Sequence, residues 1–214
     1  MLKFVVFLVL FGCSGYRFSQ QENPLSQYGI QSLSIPMFYN YSNLSEIQGD
    51  FTRETYRLLT GFSGLRLYNG YKPDADAILI GILKTPDKMS ETIRATNLRL
   101  AKDSAKTAIG SKRQNFSIPG VTDIQLFLQV IVIKNPTEEE LALLKSGIGD
   151  KISSNSKIIF NELIPLRIQF TREVLDSPGV EVVGTQNAGV QRKSLKVLAE
   201  QAAVNVRDMI LYAF

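Results

Sequence analysis

Apolar and polar positions alternate most clearly over Asp123 to Lys134. Ile124, Leu126, Leu128, Val130 and Val132 share one parity, while Phe127, Ile131 and Ile133 make the other parity partly apolar. A period of two over that length predicts a strand with one fully buried face. Ala75 to Leu83 is a nearly continuous apolar run, as expected of a strand covered on both faces. A first strand is predicted over Ile30 to Phe38, with Leu33, Ile35 and Met37 facing one way. Pro36 brings no ladder donor, which puts this strand near an edge or ends it there. Leu65 to Tyr68 reads as a short edge strand, and Ile158 to Arg172 as a long extended stretch interrupted by Pro165.

Between the first two main strands the period changes. Ile47, Phe51, Leu58, Leu59 and Phe62 recur at helical spacing behind Ser45, a good N-cap residue, and Gly61 stands where a helix stops. Strand, helix, strand in this order is a right-handed crossover, which makes strands 30–38 and 76–84 parallel neighbours. Tyr39 to Leu44 reads as a loop. Thr137 with Glu140 forms a capping box that opens a short helix to about Lys145. After a polar turn region reaching Gly189, Leu195, Leu198, Ala199, Ala202, Val206, Met209 and Ile210 make an apolar stripe. This helix, 191–212, is expected to lie across the same sheet face as the first, 46–60.

The N-terminus follows a different pattern. Lys3 precedes an unbroken apolar run from Phe4 to Phe11, and the small residue Gly12 then stands before Cys13, the only cysteine. Charge, apolar run, small residue and cut is the order of a secretory signal. A run of eight residues falls short of the ~20 that span a bilayer as a helix. A buried core strand would also read as a short apolar run, but polar Ser14 and Gly15 follow at once. Cysteine just after the cut resembles the lipobox of bacterial lipoproteins, and that resemblance implies acylation of Cys13. The expected organisation is a signal over 1–12, a lipid-anchored tether over 13–28 and one folded domain over 29–214. Two or more acyl chains hold a protein stably on a membrane surface.

Composition narrows the chemistry. The chain has no histidine, so a Ser-His-Asp triad, a Cys-His pair and any His-containing zinc site are excluded. No catalytic residue, metal site or cofactor is expected. Asp74 and Asp76 share one strand face, yet a turn-to-strand junction accounts for both without acid-base chemistry. The formal charge is +4, and the stretch Lys84 to Asn115 alone carries eight cations against three carboxylates, a balance of +5. Two strands with a hairpin near Gly110 fit this stretch. Such a surface favours anionic partners, which for an exported protein are lipid head groups and phosphorylated glycolipids, not nucleic acid. The candidate contacts are Lys112 and Arg113 beside the turn, Arg99 in the same stretch, and Arg192 with Lys193. The last two would stand at the start of the final helix, against its dipole. The competing reading is a solvated hairpin whose charges keep a sheet edge soluble.

Several segments, in order, resemble one family. Gly12-Cys13-Ser14-Gly15-Tyr16-Arg17-Phe18 is followed by Ile35-Pro36-Met37-Phe38-Tyr39-Asn40 and by Phe51-Thr52-Arg53-Glu54-Thr55. Ala75 to Gly81 and Leu198-Ala199-Glu200-Gln201-Ala202-Ala203 complete the series. Together they resemble the LptE-type lipoproteins of lipopolysaccharide assembly. The resemblance implies an α/β (α+β) two-layer sandwich, with two helices on one face of a mixed sheet of about four main strands. It also implies a non-enzymatic role at the outer membrane, with an LptD-like β-barrel and lipopolysaccharide as partners. The stretches 85–120 and 136–157 are longer than the family pattern. A periplasmic accessory lipoprotein of another envelope machine, such as a peptidoglycan-synthase activator, is the alternative.

Overall fold

The computed structural model describes residues 21–86, 92–100, 117–145, 157–172 and 180–212. Cys13, Lys112 and Arg113 lie outside the described residues, as does the expected turn near Gly110. The strands are β1 (Gln21–Glu22), β2 (Ser32–Ile35), β3 (Tyr39–Tyr41), β4 (Phe62–Ser63), β5 (Arg66–Asn69), β6 (Ala77–Lys84), β7 (Ile93–Leu100), β8 (Ser117–Lys134) and β9 (Ile158–Thr171). The helices are α1 (Gln48–Leu59), α2 (Glu138–Lys145) and α3 (Val180–Tyr212), with a 3-10 turn at Pro24–Tyr28. That turn, on the stretch assigned to the tether, drives Leu25 into the main core.

The 18-residue β8 is the spine of a seven-stranded mixed sheet. On one side its C-terminal half pairs antiparallel with β6 and its N-terminal half with β7. On the other side β9 runs antiparallel along most of its length, with Pro165 opposite Phe127. Strand β2 pairs parallel with β6, as the crossover requires, and β5 adds parallel to the far edge of β2. The sheet therefore exceeds the four main strands expected. The short strands β3 and β5 and the hairpin partner β7 account for the difference.

The alternating face of β8 behaves as its pattern dictates. Ile124, Leu126, Leu128, Val130 and Val132 are buried with Leu33, Ile35, Leu79 and Leu83 beneath Phe51 and Leu59 of α1 and Leu198, Ala202, Val206 and Ile210 of α3. Both long helices cover this one face. The opposite face has its own smaller core, in which Ile78, Ile80, Ile82, Ile131 and Ile133 meet Leu141 of α2. The two-layer expectation is thus corrected: α2 forms a third layer over one end, where β6 and β8 are apolar on both sides.

The first strand departs from its pattern. Ser34 is opposite Ile78 and Tyr39 opposite Ile82, so β2–β3 carries one residue more than β6 between these pairs. The extra residue falls at Pro36, which cannot donate to the ladder. Parity flips there: Phe38, not Met37, enters the main core, and Met37 is left 62% exposed. Phe38 needs room, and Gly81 supplies it, since a Cβ at position 81 would stand 2.4 Å from the Phe38 ring. The Phe38 N–H donates at 2.9 Å to Thr52 Oγ1 of α1. That bond gives the buried Thr52 hydroxyl its partner. Past the slip the expected loop becomes strand β3.

Two helix starts also differ. Glu46 takes a positive φ of 60°, which turns the chain between Ser45 and the helix, and the N-cap is Ile47 with no side-chain cap bond. Leu59 rather than Leu58 sits fully in the core. Helix α3 begins at Val180, through residues read as a polar turn region. At 33 residues it is about 50 Å long. The capping box of α2 forms as expected: Thr137 N–H donates to Glu140 Oε2 at 2.8 Å, and Glu140 N–H to Thr137 Oγ1 at 3.3 Å.

Stability measurements check this packing. Leu198→Asp places an unpaired charge in the helix–sheet core and should cost about 3 kcal/mol or more. Gly81→Ala should cost about 1–3 kcal/mol by crowding Phe38, while Val204→Ala on the outer side of α3 should stay within about 0.5 kcal/mol. Urea unfolding of the three variants reads all of these. A Gly81→Ala variant as stable as the parent would contradict the seating of Phe38.

Candidate functional site

The register slip at Pro36 helps build a concavity on the second face of the sheet. A groove of about 500 Å³ is lined by Pro36, Met37, Tyr39, Tyr71, Ile78, Glu138 and Leu141. Its floor is the second sheet face. One wall is the slipped β2–β3 segment with Tyr71, and the other is the first turn of α2. Tyr71 is 47% exposed, and Tyr41 continues the aromatic surface by stacking on Tyr39 with ring centroids 6.5 Å apart. Burial, then proximity to Tyr41, holds the Tyr39 phenol above its ordinary value, so it stays protonated and can donate a hydrogen bond. Glu138 lines the groove and is exposed, as is its neighbour Glu139, while Glu140 is engaged by Thr137 and Lys157.

The far half of the second face is polar. Asp123 on β8 is buried, and the exposed Arg167 of β9 grips it with Nε at 2.9 Å from Oδ1 and Nη2 at 2.6 Å from Oδ2. The Arg167 guanidinium is the main reason that Asp123 is held below the usual carboxylate range, and the charge of Arg94 on β7 adds to it. Arg172 donates from Nε to Thr122 Oγ1 at 2.7 Å. Arg94 and Arg167 thus act on one carboxylate from the two strands that flank β8, while Arg172 is held by Thr122 on the opposite face of the sheet, at the same end. Arg94 is one of the eight cations of the basic stretch; Arg167 on β9 and Arg172 just after it are not, and the pairing of β9 with β8 brings them to this end of the sheet.

The remaining candidates are placed as follows. Arg99 lies on β7 opposite Ile118. Arg192 and Lys193 are exposed on α3, twelve or more residues inside the helix, so they do not oppose its N-terminal dipole as expected. Asp76 is a structural carboxylate. Its Oδ2 accepts from Gln31 N–H at 3.0 Å, Ser32 N–H at 2.8 Å and Ser32 Oγ at 2.8 Å. Its own N–H returns a bond to Ser32 Oγ at 2.9 Å. These bonds, led by the Ser32 hydroxyl, hold Asp76 below its ordinary value and lock β2 to β6. Asn40, in a glycosylation-like Asn-Tyr-Ser run, spends its amide on Leu44 O and its carbonyl on Ser42. It is a loop organiser.

No protein-family model matches this sequence, and no curated protein matches it either. Several solved structures share its outline. A protein from Caulobacter crescentus taken for a lipoprotein aligns over 83% of this chain and 90% of its own, at 7% identity and a TM-score of 0.41. Rare lipoprotein B from Shewanella oneidensis aligns over 85% and 92%, at 13% identity and a TM-score of 0.36. A lipoprotein from Neisseria meningitidis aligns over 76% and 96%, at 10% identity and a TM-score of 0.32. With scores and identities this low, nothing about function rests on the likeness.

The carboxylates give a pH prediction. Asp76 and Asp123 both have folded-state values below the unfolded ones, so the unfolded chain binds more protons in acid. Their stabilisation is complete above the ordinary value of 3.8 and is lost as pH falls through the lowered folded values. The melting temperature of the parent should fall steeply below about pH 4. Asp76→Asn should be less stable than the parent at pH 7 by about 1–3 kcal/mol and converge on it at pH 2–3. A constant gap across that range would show that Asp76 does not clamp the strands through its charge.

Proposed function

We propose that this chain is a lipid-anchored lipoprotein on the periplasmic face of the outer membrane. It assists assembly of a large LptD-like β-barrel and the terminal insertion of lipopolysaccharide. The observation that carries the reading is the parallel β2–β6 pair spanned by α1, with α3 closing on the same face. Two helices on one face of a mixed sheet is the layout implied by the family resemblance, whose segments within the described residues fall on β2–β3, α1, β6 and α3. The signal-like N-terminus ending at Cys13 supports the anchor. The proposed role is non-enzymatic, and in its support Asp76, one of the two carboxylates weighed for acid-base chemistry, is spent on clamping β2 to β6.

An anionic glycolipid would meet the cationic end of the sheet. Arg94 on β7, Arg167 on β9 and Arg172 just after it carry guanidinium groups suited to phosphate, and the sequence adds Arg99, Lys112 and Arg113. Asp123 positions Arg167 there.

Binding of the purified chain to lipopolysaccharide, at low and high salt, tests this role. Lys112→Glu with Arg113→Glu should weaken binding about tenfold or more at low salt, and the difference should shrink near 1 M salt, where screening reaches ~3 Å. Equal binding by parent and variant at both salts would assign these cations to solubility alone.

A further inference from the structure

The groove and the outer side of α3 complement each other, and they lie on opposite faces of the sheet. The groove is mainly apolar, with Met37 and Tyr71 exposed in it, and its lining includes the carboxylate of Glu138, which the exposed Glu139 follows in the first turn of α2. On α3, Arg192, Lys193 and Lys196 stand exposed beside Val197 and Val204, two of the few large apolar side chains left open to solvent among the described residues. Lys193, Val197 and Val204 recur at four and seven residues and so share one stripe of the helix. None of these three cations forms an ion pair with a described residue. We propose that the groove is the docking site for α3 of a second copy of this chain. The valines enter between Met37 and Tyr71, and the cations face Glu138 and Glu139.

The placement determines the kind of assembly. The groove lies on the sheet face that carries α2, and α3 covers the other face. One copy therefore offers its groove to the next while its own α3 remains free for a third. That is a heterologous, head-to-tail contact, which grows into a ring or a filament and does not stop at a two-fold dimer. The acidic rim disfavours phosphorylated or fatty-acid ligands in the groove. A helix bearing apolar and basic side chains meets both its chemistry and its shape. A membrane anchor would aid a weak contact of this kind by raising the effective concentration of neighbours.

Sedimentation of the full chain in detergent micelles, over rising concentration at low and high salt, tests the proposal. The mass should rise beyond a dimer at low salt and fall back in 1 M salt. Two charge-reversed variants are then compared: Glu138→Lys with Glu139→Lys in the groove, and Arg192→Glu with Lys193→Glu on α3. Each alone should associate about tenfold more weakly or worse. Mixed together they should associate again, because each reversed groove meets a reversed helix. Met37→Asp, outside any helix and already exposed, should weaken association without a change in melting temperature, so loss of the α2 cap is not the cause. A parent that stays monomeric, a mass that plateaus at a dimer, or a mixture no better than its components would each overturn the proposal.

Discussion

One residue too many between Ser34 and Tyr39 governs much of this structure. Pro36 cannot continue the ladder, and the chain absorbs the extra residue there before re-pairing with β6 one position out of step. Three consequences follow from that slip. Phe38 enters the main core, which is possible only because position 81 is glycine. The freed Phe38 N–H is satisfied by Thr52, which ties the strand to α1. Met37 and Tyr39 turn to the second face and become one wall of the groove. Core packing, helix docking and the exposed apolar concavity are thus coupled through one irregularity.

The clamp that surrounds the slip is polar. Ser32 and Ser34 are buried on β2, on the parity opposite to Leu33 and Ile35. Ser32 shares its hydroxyl with Asp76 across the strand pair, while Ser34 donates to Gly70 O at 2.6 Å and accepts from Lys72 N–H at 3.0 Å. Every one of these groups has a partner, as burial requires. The carboxylate that looked most like a catalytic candidate is therefore a register device. At the other end of the sheet, Asp123 has the matching task of holding Arg167.

Much of the fold was legible in the sequence because its main elements are strongly periodic. The core face of β8, the parallel β2–β6 pair, the α3 stripe and the α2 capping box all follow from spacing. What escaped were features set by register or by single backbone dihedrals. The positive φ of Glu46 separates Ser45 from the helix it would cap, and the slip at Pro36 reverses the parity of Met37 and Phe38. Nothing in local composition marks residues 180–189 as helical, since Gly184 and Gly189 and the β-branched Val180, Val182 and Val183 are all poor helix formers. Of the candidate site, only the excess of cations over Lys84 to Asn115 was readable. Arg167 and Arg172 join that end through pairing between strands distant in sequence. The groove left no signal, because its lining comes from four separate segments.

The role proposed for this protein is that of an outer-membrane partner of a lipopolysaccharide-export barrel. Its direct test is purification of the tagged full chain from detergent-solubilised membranes, with mass identification of what it carries. The account predicts one large outer-membrane β-barrel in stoichiometric amount, together with lipopolysaccharide, and retention of both when Glu138 and Glu139 are reversed. Recovery of a peptidoglycan synthase in place of the barrel, or of the chain from the soluble fraction with Met1 intact and no partner, would contradict it.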